Sequence, residues 1–319
     1  MNYIILNFFS ILIFMTGIFW LYSKIIKLNN KNGDFNRNIE LQKQNYQLNQ
    51  KKKCKINNIF KSIGSLFPIL FIVCIIRCFF YEPFYIPSES MLPNLLPGDY
   101  IIVKKFFYGI KNPFTGNIII KYHDFKRGDI IVFKNPNNPY QNYIKRIIGI
   151  PGDKIIYDPI NKIITIYENY NNINKRKIIF KHYVFNKYNT NAIENTNIKK
   201  NIEDIKKINN NCNILNHHSM IYQEVLDNHK YNILISHKDK SNMQEYYKQK
   251  NQSSAIWIIP PKQYFVLGDN RDNSLDSRYW GFVPEKNILG KADYIWMNLE
   301  RNENKWPIGI NLNRIGKIY

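Results

Sequence analysis

An uncharged stretch at the start of the chain limits what this sequence can fold into. From Tyr3 to Tyr22 there are twenty residues without a charged side chain, mostly Ile, Leu and Phe. About 20 apolar residues in a helix are enough to cross the hydrocarbon core of a bilayer. A cleaved signal peptide would need a basic start and a small-residue cleavage site, but the first two residues are uncharged and residues 19–22 are bulky. The stretch predicts a retained first transmembrane helix over residues 1–22.

A second apolar stretch covers residues 63–80. It contains Pro68 and a single charge, Arg77, which lies close enough to the end to extend toward the membrane interface. A buried helix in a soluble domain is the alternative. The absence of polar periodicity favours a second transmembrane helix.

The segment between the two stretches, residues 23–62, is strongly basic. It holds ten Lys and Arg residues against two acidic residues, Asp34 and Glu40. Short loops rich in Lys and Arg stay in the cytoplasm. The N-terminus and everything after residue 80 are then expected on the far side of the membrane, as parts of a multi-pass protein.

The whole chain of 319 residues carries a formal net charge of +21. Such a charge indicates an anionic partner or a membrane surface. Compositional drift in an AT-rich genome explains it equally well, since Asn, Ile, Lys, Tyr and Phe are all abundant. A nucleic-acid partner is not expected, because the basic loop has no interleaved aromatic platform on which successive bases could stack.

After residue 80 the pattern changes to short runs of Ile, Val, Phe and Tyr broken by Pro, Gly and Asn. Runs of this length with Gly-containing turns are typical of an all-β domain. We predict a main β domain in two parts, 81–159 and 256–319, with a secondary, Asn- and Lys-rich β domain inserted at 160–255. The predicted strands are Tyr100–Phe107, Asp129–Lys134, Asn142–Ile148, Lys154–Tyr157, Ile163–Tyr167, Lys177–Phe185 and Gln263–Leu267, whereas Asn189–Asn213 is predicted as a loop.

A short polar segment, Pro87–Pro93, follows the second apolar stretch. It carries Ser88 and Ser90, separated by one residue and flanked by prolines. A rigid loop that presents a hydroxyl is what a serine nucleophile requires. An ordinary Pro/Ser turn has the same pattern, so this segment alone leaves both interpretations open.

Lys145 lies in the apolar segment 143–149. In a strand of such composition alternate side chains face the core. Burial favours the neutral form of lysine, and a neutral lysine can act as a general base. A solvated strand lysine is the alternative, and it is common in a chain with this much lysine.

The third polar segment is residues 268–278, which follow an apolar strand. It holds three Asp, two Asn, two Arg and two Ser residues. Alternating Asp and Asn could bind calcium, but the two arginines and the lack of a Glu at the twelfth position argue against such a loop. Asp276 and Arg278 could instead form an ion pair that holds the loop.

Other catalytic schemes find little support in the sequence. There is no G-x-G-x-x-G, P-loop or H-E-x-x-H motif, and all histidines except His123 fall in the Asn-rich insertion. Of the four cysteines only Cys212 is predicted to be exported, so an intramolecular disulfide there is excluded. We therefore predict neither a metal nor a cofactor.

In this order, and behind two apolar stretches, the three polar segments resemble those of bacterial type I signal peptidase, also called leader peptidase. Three flanking segments match the family as well: Tyr81–Phe84, Arg278–Pro284 and Arg314–Gly316. The resemblance covers nearly the whole chain. It implies an all-β catalytic domain with an inserted β-rich domain, anchored by two N-terminal transmembrane helices. One departure concerns the insertion, where many relatives carry a cysteine pair and this chain has Cys212 alone.

The resemblance also assigns roles to individual residues. It implies that Ser90 is the nucleophile and Lys145 the general base, a recognised variant of serine-protease chemistry. The hydroxyl of Ser88 and the backbone N–H of Ser90 would hold the oxyanion. Further implied roles are the orientation of the lysine by Ser274, support from Asp276 and Arg278, and small apolar substrate pockets lined by Phe84, Ile86, Leu95 and Ile144.

The implied activity is endoproteolytic removal of N-terminal signal peptides after small residues, at sites of the Ala-x-Ala type. The partners would be preproteins emerging from the translocation machinery, together with membrane lipid. A self-cleaving repressor with the same chemistry is a rival, but repressors are soluble and carry a DNA-binding head. An inactive membrane tether is the other rival, and intact Ser90 and Lys145 argue against it.

Overall fold

The computed structural model describes residues 2–32, 59–112, 115–170, 180–184, 219–227, 229–236, 243–300 and 309–318. These residues divide into two compact units, Met1–Cys78 and Phe79–Tyr319. The predicted loop Asn189–Asn213 and Cys212 lie outside the described residues, as does most of the basic segment 23–62.

The first unit is helical. It contains α1 (Asn2–Asn32), α2 (residues 59–64) and α3 (Phe67–Ile75), and a single π-helical turn follows at Ile76–Phe80. Pro68 lies in the first turn of α3, where its missing N–H costs no hydrogen bond. Residues 2–22 therefore lie in α1, and 63–80 contain α3 and the π-helical turn. Within the described residues, no helix combines the length and the apolar content that crossing a membrane requires.

The second unit is built mainly from strands, so the predicted β class is confirmed. Most of its strands are three to eight residues long and are joined by tight turns. In chain order they are β1 (Tyr81–Tyr85), β2 (Asp99–Lys104), β3 (Gly109–Lys111), β4 (Ile118–Lys121), β5 (Ile130–Lys134), β6 (Asn142–Gly149), β7 (Lys154–Asp158), β8 (Ile163–Tyr167), β9 (Phe180–Val184), β10 (Ser219–Leu226), β11 (His229–Ser236), β12 (Ile256–Ile258), β13 (Gln263–Leu267), β14 (Val283–Pro284), β15 (Ile288–Glu300), β16 (Gly309–Ile310) and β17 (Gly316–Lys317).

The main sheet has the order β1-β2-β15-β5-β6-β13-β14, and β16 and β17 also pair with β15. Three smaller sheets have the orders β12-β7-β8, β11-β10-β9 and β3-β4. All of the strand pairs within these sheets are antiparallel. Each predicted strand has a counterpart among these elements, and the ends that fall on described residues differ by up to three residues; the ends of Lys177–Phe185 lie outside the described residues.

Three turns that end in Gly-Asp connect strands of this unit. Gly98, Gly128 and Gly152 have φ values of 94°, 88° and 91°, a conformation that glycine adopts without strain. In each turn the following aspartate carboxylate accepts a hydrogen bond from the backbone N–H three residues earlier. Local sequence therefore determines both the backbone and the capping of these turns.

The position of β6 in the main sheet explains the burial of the lysine predicted as a base. The strand lies between β5 and β13, and all residues from Ile144 to Gly149 are buried. Both faces of the strand are thus covered, and the simple alternation expected for a half-exposed strand does not apply. Lys145 is consequently buried together with its two sequence neighbours.

The inserted strands do not pack on their own. One apolar cluster joins Tyr222 of β10 and Ile233 of β11 to Trp257 and to Phe265 of β13. The described part of 160–255 therefore shares a core with residues of the predicted second part, 256–319.

Candidate active site

The segment that carries the two serines is a compact loop between β1 and β2. Its base is fixed by backbone hydrogen bonds from Ile86 to Asp99 and from Gly98 to Ile86, both 2.9 Å long. Met91 is fully buried in an apolar cluster, while Ser90 next to it stays partly exposed. Because Met91 is anchored in the core and the base of the loop is fixed, the Ser90 hydroxyl faces a cleft.

Lys145 reaches this hydroxyl from β6. Its Nζ atom lies 2.5 Å from Oγ of Ser90 and within hydrogen-bond distance. The lysine is only 4% exposed, and its Nζ lies 5.8 Å from the centre of the Tyr143 ring. The structure thus brings together the two residues for which the resemblance implies the roles of nucleophile and base.

The environment of Lys145 makes its proton easy to lose. The pKa of the ammonium is lowered to about 8, mainly by burial, and the charge of Arg278 acts in the same direction. The carboxylates of Asp276 and Asp269 oppose this, but burial outweighs them. A substantial fraction of the lysine is therefore neutral at mildly alkaline pH.

Ser88 lies beside the same hydroxyl. Its Oγ is 3.4 Å from Oγ of Ser90, and its side chain is exposed to the cleft. It is thus within reach of a group bound at Ser90.

The ion pair expected between Asp276 and Arg278 is present and buried. Nε and a terminal nitrogen of Arg278 donate to the two carboxylate oxygens over 2.8 and 2.9 Å. The same carboxylate accepts a 3.2 Å hydrogen bond from the N–H of Gly268, and Arg278 also donates to the carbonyl of Arg271. The pair therefore ties together both ends of the loop 268–278.

Ser274 does not make the contact that the resemblance implies. Its hydroxyl is buried but forms no hydrogen bond with any residue that the structure describes, Lys145 included. A Cβ placed on Gly268 would meet Ser274 Oγ at 2.2 Å and the carbonyl oxygen of Ser90 at 2.5 Å. The hydroxyl is thus packed against the backbone of Gly268, and its role in orienting the lysine stays a prediction.

A cleft of about 530 Å³ opens beside the two serines and Lys145. Three of the four residues predicted for the substrate pockets line it: Phe84, Ile86 and Ile144. Leu95 is fully buried in the apolar cluster that contains these three residues, but it does not line the cleft. Its position is that of a core residue behind these three side chains, and its predicted role in a substrate pocket stays a prediction.

The sequence did not identify the buried ion pairs that hold these segments together. Arg146 binds Asp269 through two 2.8 Å hydrogen bonds, although 123 positions separate them. Arg271 forms a second buried pair with Glu224 of β10. An arginine within an apolar strand is unusual, so the sequence of β6 could have indicated that Arg146 needs a buried partner. Nothing in the local pattern identifies Asp269 as that partner.

Metal ligation has no counterpart in the described part of the chain, where no three His, Cys, Asp or Glu side chains converge. The chemistry available at the cleft is that of a hydroxyl beside an amine of lowered pKa. Nucleophilic attack assisted by a general base is the reaction this pair can perform.

Comparison with known proteins places this arrangement in a family. Residues 59–297 match the family described as signal peptidase, peptidase S26. Signal peptidase I of Buchnera aphidicola subsp. Baizongia pistaciae is 47% identical over 96% of both chains, and that of Buchnera aphidicola subsp. Schizaphis graminum is also 47% identical over 96% of both. Signal peptidase I of Haemophilus influenzae is 35% identical over 97% of this chain and 91% of its own. The chain therefore belongs to the signal peptidase family, peptidase S26, and is a serine peptidase.

Proposed function

We propose that this chain removes signal peptides from exported preproteins with a Ser90–Lys145 dyad. The observation that carries the proposal is the 2.5 Å approach of a buried lysine, with its pKa lowered to about 8, to a serine hydroxyl in a cleft. Neutral Lys145 accepts the hydroxyl proton while Ser90 Oγ attacks the carbonyl at the cleavage site. The resulting ammonium returns the proton to the leaving amine, and water then hydrolyses the acyl-enzyme.

The negative charge that develops on the carbonyl oxygen needs donors. We assign this role to the backbone N–H of Ser90 and to the hydroxyl of Ser88, which lies 3.4 Å from the nucleophile. Loss of one such donor typically lowers kcat by about 100- to 1,000-fold.

The shape of the cleft supports a preference for small side chains. Phe84, Ile86 and Ile144 give it an apolar wall beside Ser90. Such a wall favours Ala-like residues before the cleavage site, as in an Ala-x-Ala sequence. The substrate would bind as an extended strand against the edge of the sheet, where main-chain hydrogen bonds supply affinity.

We further propose that residues 1–22 and 63–80 anchor the enzyme in the inner membrane, with 23–62 in the cytoplasm and the catalytic domain in the periplasm. The uncharged composition of the first stretch and the basic composition of the segment between them support this topology. Preproteins emerging from the translocation machinery would then meet the cleft beside the lipid surface. A carbonate wash tests the anchor, because an anchored chain stays in the membrane pellet and a peripheral one is released.

The dyad is tested by cleavage of a purified preprotein by the full chain in detergent. We expect the parent to cut after Ala-x-Ala, and both Ser90→Ala and Lys145→Met to be inactive. Lys134→Met is the matched control, because Lys134 is an exposed lysine at the end of the neighbouring strand β5. Parent-like cutting by Lys145→Met would refute the proposed base, and an inactive parent would favour the tether.

A further inference from the structure

Asn270 holds the backbone on both sides of the catalytic serine. Its side-chain amide donates a 3.1 Å hydrogen bond to the carbonyl oxygen of Glu89. Its backbone N–H donates a second 3.1 Å hydrogen bond to the carbonyl oxygen of Ser90. The residue is buried, so neither bond is exchanged readily with bulk water. The peptide units before and after the Ser90 side chain are therefore both fixed by one residue.

The first of these bonds determines where the Ser90 N–H points. The carbonyl of Glu89 and the N–H of Ser90 belong to the same planar peptide unit, and in a trans peptide they point in opposite directions. Among the described residues the cis peptide is Leu92–Pro93, so the Glu89–Ser90 peptide is trans. An amide that fixes the carbonyl on one side therefore fixes the N–H on the other.

The inserted strands in turn hold Asn270. Leu234 of β11 forms an isolated bridge with it, through 2.9 Å backbone hydrogen bonds to the carbonyl of Asp269 and from the N–H of Arg271. Arg271 is also paired with the buried Glu224 of β10. The strands β10 and β11 thus hold the residues on both sides of the asparagine in place.

We infer that Asn270 is a positioning residue that aims the backbone N–H of Ser90 at the oxyanion. The inference rests on the proposed function, because it concerns the donor assigned there. The hydrogen bond to the Glu89 carbonyl also polarises the peptide, which strengthens its N–H as a donor. An interaction of this kind acts when charge develops on the substrate oxygen, so it contributes to kcat and not to ground-state binding.

The first test compares Asn270→Ala and Asn270→Asp with the parent, using full-length protein in detergent and a peptide substrate with an Ala-x-Ala site. We expect kcat to fall by about 10- to 100-fold and KM to stay nearly unchanged. This fall in kcat does not exceed the one expected when a whole oxyanion donor is removed. Asn270→Asp keeps the size of the side chain but removes its donor, so it remains informative if the alanine variant folds poorly. The control is Asn298→Ala, because Asn298 is similarly buried but bonds Asp99.

The second test uses a peptide aldehyde, which mimics the tetrahedral intermediate. Ser90 Oγ forms a bond to the aldehyde carbon, the hydroxyl proton passes to Lys145, and the carbonyl π electrons become an oxyanion. We expect the Asn270 variants to lose affinity for the aldehyde by the same factor as kcat. Affinity for the corresponding peptide amide, which forms no adduct, should stay unchanged.

The inference is overturned if the Asn270 variants cut at the rate of the parent, or if kcat falls while aldehyde affinity does not. A parallel loss with Asn298→Ala would also overturn it, because the effect would then be general destabilisation. A parent that neither cuts nor binds the aldehyde is a different result, since it refutes the proposed dyad itself.

Discussion

Replacement of Lys145 by methionine should abolish cleavage and, at neutral pH, make the protein more stable. Burial lowers the pKa of this lysine from 10.5 to about 8, which means that the folded state holds the ammonium unfavourably. One pKa unit corresponds to about 1.36 kcal/mol, so the charged lysine costs about 3 kcal/mol of folding free energy below pH 8. Loss of its hydrogen bond to Ser90 offsets about 1 kcal/mol of the gain. The expected net stabilisation at pH 7 is about 2 kcal/mol.

The difference in stability between the parent and Lys145→Met should depend on pH. Below pH 8 the lysine is protonated in both the folded and the unfolded state, so its cost is present in full. Between pH 8 and 10.5 the folded state has lost the proton and the unfolded state retains it. The parent therefore gains stability as pH rises through this range, and its disadvantage against Lys145→Met disappears.

The assay is urea unfolding of the full chain in detergent at pH 7, 8, 9 and 10, followed by tryptophan fluorescence. Lys134→Met is again the control, since it removes a positive charge from an exposed position. Two results would refute the reasoning. One is a Lys145→Met variant that is less stable than the parent at pH 7, and the other is a difference in stability that does not change with pH.

Three further predictions follow from single contacts. The kcat/KM for peptide cleavage should rise with pH and level off above about 8, because neutral Lys145 is the active form; a profile flat from pH 6 to 10 would contradict this. Gly268→Ala should lower kcat by about 100-fold, because the new Cβ would lie 2.2 Å from Ser274 Oγ and would displace the loop; unchanged kinetics would show that the loop adjusts freely. Glu224→Gln should destabilise the chain by about 3–5 kcal/mol in urea unfolding, because Arg271 would remain buried without its counter-charge. If the free energy of unfolding falls by less than about 1 kcal/mol, water must reach the arginine side chain and replace the counter-charge.

The agreement between the predicted and the observed positions is better for the two proposed reacting residues than for the residues around them. The local setting of Ser90 and Lys145 left other interpretations open, the resemblance assigned their roles, and the structure brings them to hydrogen-bond distance. Leu95 and Ser274 were assigned by the same resemblance, yet Leu95 lies in the core and Ser274 faces Gly268. A motif specifies which residue type stands at a position, but the direction of a side chain depends on packing against residues elsewhere in the chain.

The sequence by itself determined the β class, the Gly-Asp turns and most strand positions, and it marked Ser90 and Lys145 as candidates for the reacting residues. These features depend on short-range physics: the two-residue period of strands, the conformational freedom of glycine, and a polar segment within an apolar context. Only the tertiary structure decided how Asn270 contacts the Glu89 carbonyl and how Arg146 pairs with Asp269. These partners lie 181 and 123 positions apart, and no local pattern encodes a pairing over such a distance. They are selected by the cost of burying a charge or a carbonyl without a partner, which arises only when the sheet has assembled.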